Sequence, residues 1–151
     1  MKKITTNFHV LMDEINALLI TRAIIRQKNN KIMKVTELTT ETFKQKVMNY
    51  DIHPNEWVFA GNKPAVIDFY ATWCGPCQAT APIMEELAAD YDGRVDFYKI
   101  DVDVQPELSA LFGIRSIPSL LFIPMGEKPK MQVGAMGKAQ FQEVINEHLL
   151  K

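Results

Sequence analysis

Apolar residues follow two regimes along this chain. Val10, Leu11, Ile15, Leu18, Leu19, Ile24 and Ile25 recur near helical spacing, which predicts an amphipathic helix over Val10–Gln27. Met1 to Lys34 contain neither Gly nor Pro, and Lys28-Asn29-Asn30-Lys31 reads as a polar break. From residue 34 short apolar runs alternate with helical patterns. Val35–Leu38 is a short strand, and Thr39 or Thr40 caps a helix to about Asn49 with Phe43 and Val47 inward. Tyr50–Lys63 is a polar loop around Trp57-Val58-Phe59. Ala65–Ala71 is mostly apolar, as expected of a strand buried on both faces.

A helix is predicted from Cys74 or Gly75 to about Tyr91, with Cys77, Ala81, Met84, Ala88 and Tyr91 as its inward stripe. Pro82 should kink it and Gly93 end it. Val95–Val102 is the next strand, followed by a short helix opening at Pro106 and stopping at Gly113. Ser119–Ile123 and Met131–Ala135 form a hairpin about Met125-Gly126-Glu127. The last helix, Lys138–Leu150, presents Phe141, Val144, Ile145, His148 and Leu149. The order β-α-β-α-β-α-β-β-α predicts an α/β fold, one mixed sheet with helices on both faces.

Composition narrows the function. The 151 residues suit about one domain. The 17 basic and 18 acidic residues leave a net charge of -1 with no basic run, which argues against a nucleic-acid partner. The longest uncharged stretch, Phe69 to Met84, is broken by Gly75, Pro76 and Pro82, so no transmembrane helix is expected. Two cysteines are too few for a disulfide-rich secreted scaffold.

Residues 1–33 form an N-terminal extension to a domain at 34–151, and three readings of it compete. Lys2-Lys3 before an apolar stretch suits a signal peptide, but Asp13, Glu14 and Arg22 interrupt that pattern. The segment also suits a docked interaction helix, or an over-extended start upstream of Met33.

Cys74-Gly75-Pro76-Cys77 joins the central strand to a helix. Residues i and i+3 share one helix face, so a small shift brings these two cysteines within disulfide geometry. Cys74 sits where unpaired N–H groups and the helix dipole favour a thiolate, the attacking species in thiol–disulfide exchange. Pro76 has no N–H to lose in that first turn. Zinc needs four ligands, and His9, His53 and His148 lack ligand spacing to the pair. A static disulfide would close too small a loop to stabilise much. Reversible redox chemistry is the better reading of CGPC between strand and helix.

The chain resembles the thioredoxin family over roughly Val35 to Leu150. The resemblance is carried by Asp68-Phe69-Tyr70-Ala71-Thr72-Trp73-Cys74-Gly75-Pro76-Cys77, Ala81-Pro82 and Lys99-Ile100-Asp101-Val102-Asp103. Gly113-Ile114-Arg115-Ser116-Ile117-Pro118-Ser119 and Val133-Gly134-Ala135 extend it. It implies the thioredoxin fold and a protein-disulfide reductase. Cys74 would be the exposed nucleophile and Cys77 the buried resolving thiol. Asp68 would be the buried aspartate beneath Cys77, and its apolar neighbours independently argue for desolvation and a raised pKa. Lys99 would pair with Asp68, or be a plain surface lysine. Ile117-Pro118 would be a cis-proline loop, with Ile117 offering backbone to an extended substrate. Gly134 would leave room for that substrate, or form a simple bulge. Trp73 would cover the active-site turn, or be a core aromatic.

The same resemblance implies no bound cofactor beyond the redox-active Cys74–Cys77 disulfide. Electrons would come from NADPH through a thioredoxin reductase. Partners would be that reductase and disulfide-containing proteins, with the chain a monomer in the cytoplasm. Tyr70 stands where the family usually has Trp, and Gln78 where Lys or Arg is frequent. Two other readings stay open. One is an exported, periplasmic oxidase or isomerase of the same fold. The other is a redox-independent interaction module built on Trp73, Ile117 and Gly134.

Overall fold

The computed structural model describes residues 2–29 and 34–151, with side chains described for 8–25 and 34–151. The chain divides into two compact units, Met1–Met33 and Lys34–Lys151. In the first, α1 spans Lys2–Asn29. It is longer than expected because no Gly or Pro interrupts it, and Lys28 and Asn29 of the supposed break are still helical. Asn30 and Lys31 of that break, and Met33, lie outside the described residues. At about 100° per residue, Met12 and Ile20, and Ile24 of the predicted stripe, fall away from its other members, so apolar and polar residues are interspersed around α1 and it has no sharply segregated apolar face.

In the second unit the predicted elements appear in the predicted order. They are β1 (Thr36–Glu37), α2 (Thr40–Lys46), β2 (Ala65–Tyr70), α3 (Gly75–Asp90), β3 (Asp96–Asp101) and α4 (Pro106–Leu111). After them come β4 (Ser119–Ile123), β5 (Lys130–Val133), α5 (Lys138–Val144) and a π-helical turn at Ile145–Leu149. Thr39 caps α2: its hydroxyl accepts from the Thr42 N–H at 3.2 Å, and the Thr42 hydroxyl accepts from the Thr39 N–H at 2.8 Å. α2 ends three residues before the predicted Asn49. Both the Val47 and Met48 N–H groups turn back to the Phe43 carbonyl, which closes the last turn.

The sheet order is β1-β3-β2-β4-β5. β1 and β2 run parallel to β3, while β4 is antiparallel to β2 and to β5. Alternation along β2 splits the core. Val66, Phe97, Leu120 and Phe122 pack under Met84 and Leu87 of α3 and Phe141 of α5. Ile67, Phe69, Ile100 and Leu121 pack on Phe43 of α2 and Leu108 of α4. Taking each of these side chains out of water contributes roughly 1.5–3 kcal/mol.

The long loop before β2 is tied down by aromatics. Trp57 stacks on Phe59 with ring centroids 6.4 Å apart, and Trp57 meets Phe112 edge-on at 6.5 Å. Gly61 is required there, because a Cβ would run into the Phe59 ring. One predicted inward residue is misplaced: Ala81 is exposed, while Thr80 and Leu87 are buried. Pro82 lies inside α3, yet Cys77, Thr80, Met84, Leu87 and Ala88 keep regular helical spacing across it, so the stripe is centred on the Thr80–Met84 side and Ala81 falls at its edge.

Two consequences position the site. β2 carries the chain to the carboxyl end of the sheet, and α3 starts there. Because β4 is antiparallel, its first residue, Ser119, lies opposite Phe69 near the end of β2. The Ile117-Pro118 segment therefore arrives beside Cys74.

Candidate active site

Cys74 is the N-cap of α3, in extended conformation, and its N–H reaches the Ala71 carbonyl at 3.2 Å. Its Sγ accepts the Cys77 N–H at 3.2 Å, so a free N–H of the first helical turn points at the sulfur. Pro76 occupies that first turn, where a missing N–H costs nothing. The two cysteines form a disulfide with their Cα atoms 5.2 Å apart, inside the usual range. Gln78 Nε2 donates to the Thr72 carbonyl at 3.1 Å and braces the turn from behind. No charged side chain does this job.

Exposure does not distinguish the two cysteines as the family resemblance implied. Cys74 is 4 % exposed and Cys77 3 %. The reason is the loop from across the sheet: Ile117 packs against the cysteine pair. What separates them is position. Cys74 Sγ lies 3.8 Å from the Ile117 carbonyl oxygen, at the mouth of the site. Trp73 is 70 % exposed, which excludes the core-aromatic reading. Its indole Nε1 donates to Asp103 at 2.7 Å and holds the ring over the turn.

The Ile117-Pro118 bond is cis. The Gly134 N–H donates to the Pro118 carbonyl at 2.8 Å, joining the loop to the end of β5. Gly134 has φ +97°, a conformation that L side chains rarely adopt, and open space lies where a Cβ would be.

Asp68 is 3 % exposed in the middle of β2. Burial pushes its pKa up to about 7, and the charge of Lys99 opposes this. Lys99 is its register partner on β3. The expected close pair is not formed: among the described residues Lys99 has no ion-pair partner within 4 Å. Its ammonium instead lies 5.5 Å from the Tyr70 ring centroid. The Tyr70 hydroxyl donates to Glu37 at 2.5 Å. Glu37 and Asp103 were not foreseen from sequence. The unusual Tyr70 was the available signal for the first. Among the described residues no group of three or more His, Cys, Asp or Glu is disposed to hold a metal. None of the described helices is long and apolar enough to cross a membrane.

The family model for thioredoxin matches residues 34–147. The chain belongs to the thioredoxin family. It is 44% identical over 110 residues to thioredoxin of Borreliella burgdorferi, covering 73% of this chain and 93% of that one. It is 36% identical over 113 residues to thioredoxin 1 of a Nostoc species, covering 75% and 95%. The M-type chloroplastic thioredoxin of Pisum sativum is 35% identical over 129 residues, covering 85% and 73%. A solved structure of chloroplastic thioredoxin z superposes with a TM-score of 0.61 at 31% identity, covering 77% of this chain and 95% of that one. The chain is thus a thiol–disulfide oxidoreductase of the thioredoxin fold, and its redox centre is the Cys74–Cys77 pair.

Proposed function

We propose that the chain reduces protein disulfides with Cys74 attacking and Cys77 resolving. The observation that carries this division is the setting of Cys74. Its sulfur accepts an N–H at the start of α3 and sits beside the Ile117 carbonyl, where an extended substrate segment would lie. In the reduced protein the Cys74 thiolate attacks one substrate sulfur. The Cys74–substrate disulfide forms and the other substrate sulfur leaves as a thiolate, which takes a proton. Cys77 then loses its proton, attacks Cys74 and closes the intramolecular disulfide. The substrate gains two electrons and two protons, and the cysteine pair loses them.

Asp68 is the proposed acceptor for the Cys77 proton, which passes to it through a bridging water. A carboxyl with pKa near 7 is matched to proton transfer at neutral pH. Trp73, Ile117, Pro118 and Gly134 form the proposed substrate rim. Gly75 and Pro76 shape the turn, and Lys99 sets the charge facing Asp68. The oxidised pair is recharged by an external dithiol donor, in our reading an NADPH-dependent thioredoxin reductase. That direction of use suits a reducing compartment, the cytoplasm. We take residues 34–151 as a monomeric catalytic domain and residues 1–33 as an extension outside the redox chemistry.

Reduction of insulin by dithiothreitol tests the proposal. The wild type should accelerate it, and Cys74→Ser should fall to the uncatalysed rate. Retained activity in Cys74→Ser would remove Cys74 from the attacking role.

A further inference from the structure

Glu37, Lys99 and Asp68 occupy one rank across three parallel strands, since Glu37 pairs with Lys99 and Lys99 with Asp68. Residues in register project to the same face of a sheet. Lys99 is therefore flanked by two carboxylates. Glu37 lies on the edge strand and is exposed, whereas Asp68 is deeply buried. A lysine given that choice would swing to the hydrated edge carboxylate, because desolvation opposes charge at Asp68. It does not do so here. Tyr70, two residues beyond Asp68 on the same face, donates its hydroxyl to Glu37. The Tyr70 ring meanwhile lies under the Lys99 ammonium.

We propose that Tyr70 and Glu37 are positioning residues for the redox centre: the Tyr70 hydroxyl occupies the Glu37 carboxylate and its ring carries Lys99, so that the lysine charge is kept from pairing with Glu37 and stays in the neighbourhood of Asp68. The inference rests on Asp68 serving Cys77 as proposed above. The groups facing this rank are few. β2 supplies Asp68 and Tyr70, β3 supplies Lys99 and Asp101, β1 supplies Glu37, and α3 supplies Cys74, Cys77 and, at the β1 edge, Glu85, which is engaged by the Lys34 N–H at 3.0 Å. Asp101 is engaged by the Asp103 N–H at 2.9 Å. β4 and β5 present Leu120 and Gln132 at the same register, and neither titrates. Burial first, and then Glu37, raise the Tyr70 hydroxyl above its ordinary pKa, so it remains a proton donor through the working range.

The test is a titration of the Asp68 carboxyl by carbon-13 NMR in the oxidised full chain, beside the pH profile of insulin reduction. Tyr70→Phe keeps the ring and frees Glu37 to take Lys99. The Asp68 midpoint should rise by at least about half a pH unit, toward the value in Lys99→Met. Adding Glu37→Gln removes the competing anion, so the Tyr70→Phe/Glu37→Gln double variant should return to the wild-type midpoint. An unmoved midpoint in Tyr70→Phe overturns the proposal, as does a double variant that keeps the shift. NMR shifts in the expected pattern with an unmoved activity profile would uphold the positioning and remove Asp68 from the proton transfer.

Discussion

Asp68 and Lys99 face each other in register across β2 and β3, yet no ion pair joins them and Asp68 Oδ1 is buried without a hydrogen-bond partner among the described residues. A carboxylate in that position is costly to ionise. The fold therefore holds a group at its centre that works against its own stability at neutral pH.

The pH dependence follows from the sign of that shift. Folding raises the Asp68 pKa from 3.8 to about 7. The folded state then binds its proton more tightly than the unfolded chain. The stabilisation is full below about pH 4 and is lost as pH rises through 7. Its upper bound is about 4 kcal/mol, at roughly 1.4 kcal/mol per pH unit. Asp68→Asn should gain stability relative to wild type by about 2–4 kcal/mol between pH 4 and pH 8, read by urea denaturation at each pH. A difference that is flat with pH would mean that Asp68 titrates normally.

Gly134 should resist substitution for a backbone reason alone. Its φ is +97° and nothing lies within 4 Å of an added Cβ. Gly134→Ala should cost about 1–2 kcal/mol. It should also slow reduction of insulin more than reduction of a small-molecule disulfide, because only the protein substrate needs the open rim. Equal slowing of both would detach Gly134 from substrate binding.

Thr39 and Thr42 satisfy each other's N–H groups at the start of α2. Thr39→Ala should lower stability by about 1 kcal/mol with no change in the rate of disulfide reduction. An unchanged urea midpoint would deny the cap its energetic role.

Residues 34–151 contain the two large core clusters and the small one around the cysteine pair. A chain reduced to them should unfold in one cooperative transition within about 3 °C of the full chain, a difference under ~1 kcal/mol. It should also keep full insulin-reducing activity. Loss of either would tie residues 1–33 to the domain.

Much of this was legible in the sequence for simple reasons. β2 reads as a doubly buried strand because Val66, Ile67 and Phe69 leave Asp68 as its one carboxylate-bearing residue. α3 announces itself through Cys74 and Pro76 at its start. What escaped depended on residues remote in sequence. Cys74 was expected to be exposed, because helical position says nothing about a loop such as Ile117-Pro118 arriving from β4. Ala81 sits outside because the buried stripe is centred on Thr80, Met84 and Leu87, and a small polar Thr gives no hydropathy signal for that face. The Lys99–Asp68 contact was expected from resemblance, and register does bring them side by side. The direction of a long lysine is set by its other neighbours, Tyr70 and Glu37, and those pairings appear only when strands are assembled. The two-residue β1 was overdrawn because a strand's length depends on its partner.

The division of labour between the cysteines is tested most directly by covalent trapping. Cys77→Ser, reduced and then mixed with a disulfide-containing protein, should accumulate a mixed disulfide, with peptide mass mapping placing the bond at Cys74. Cys74→Ser treated alike should trap little. No adduct in Cys77→Ser, or preferential trapping through Cys77 in Cys74→Ser, would contradict Cys74 attack and Cys77 resolution.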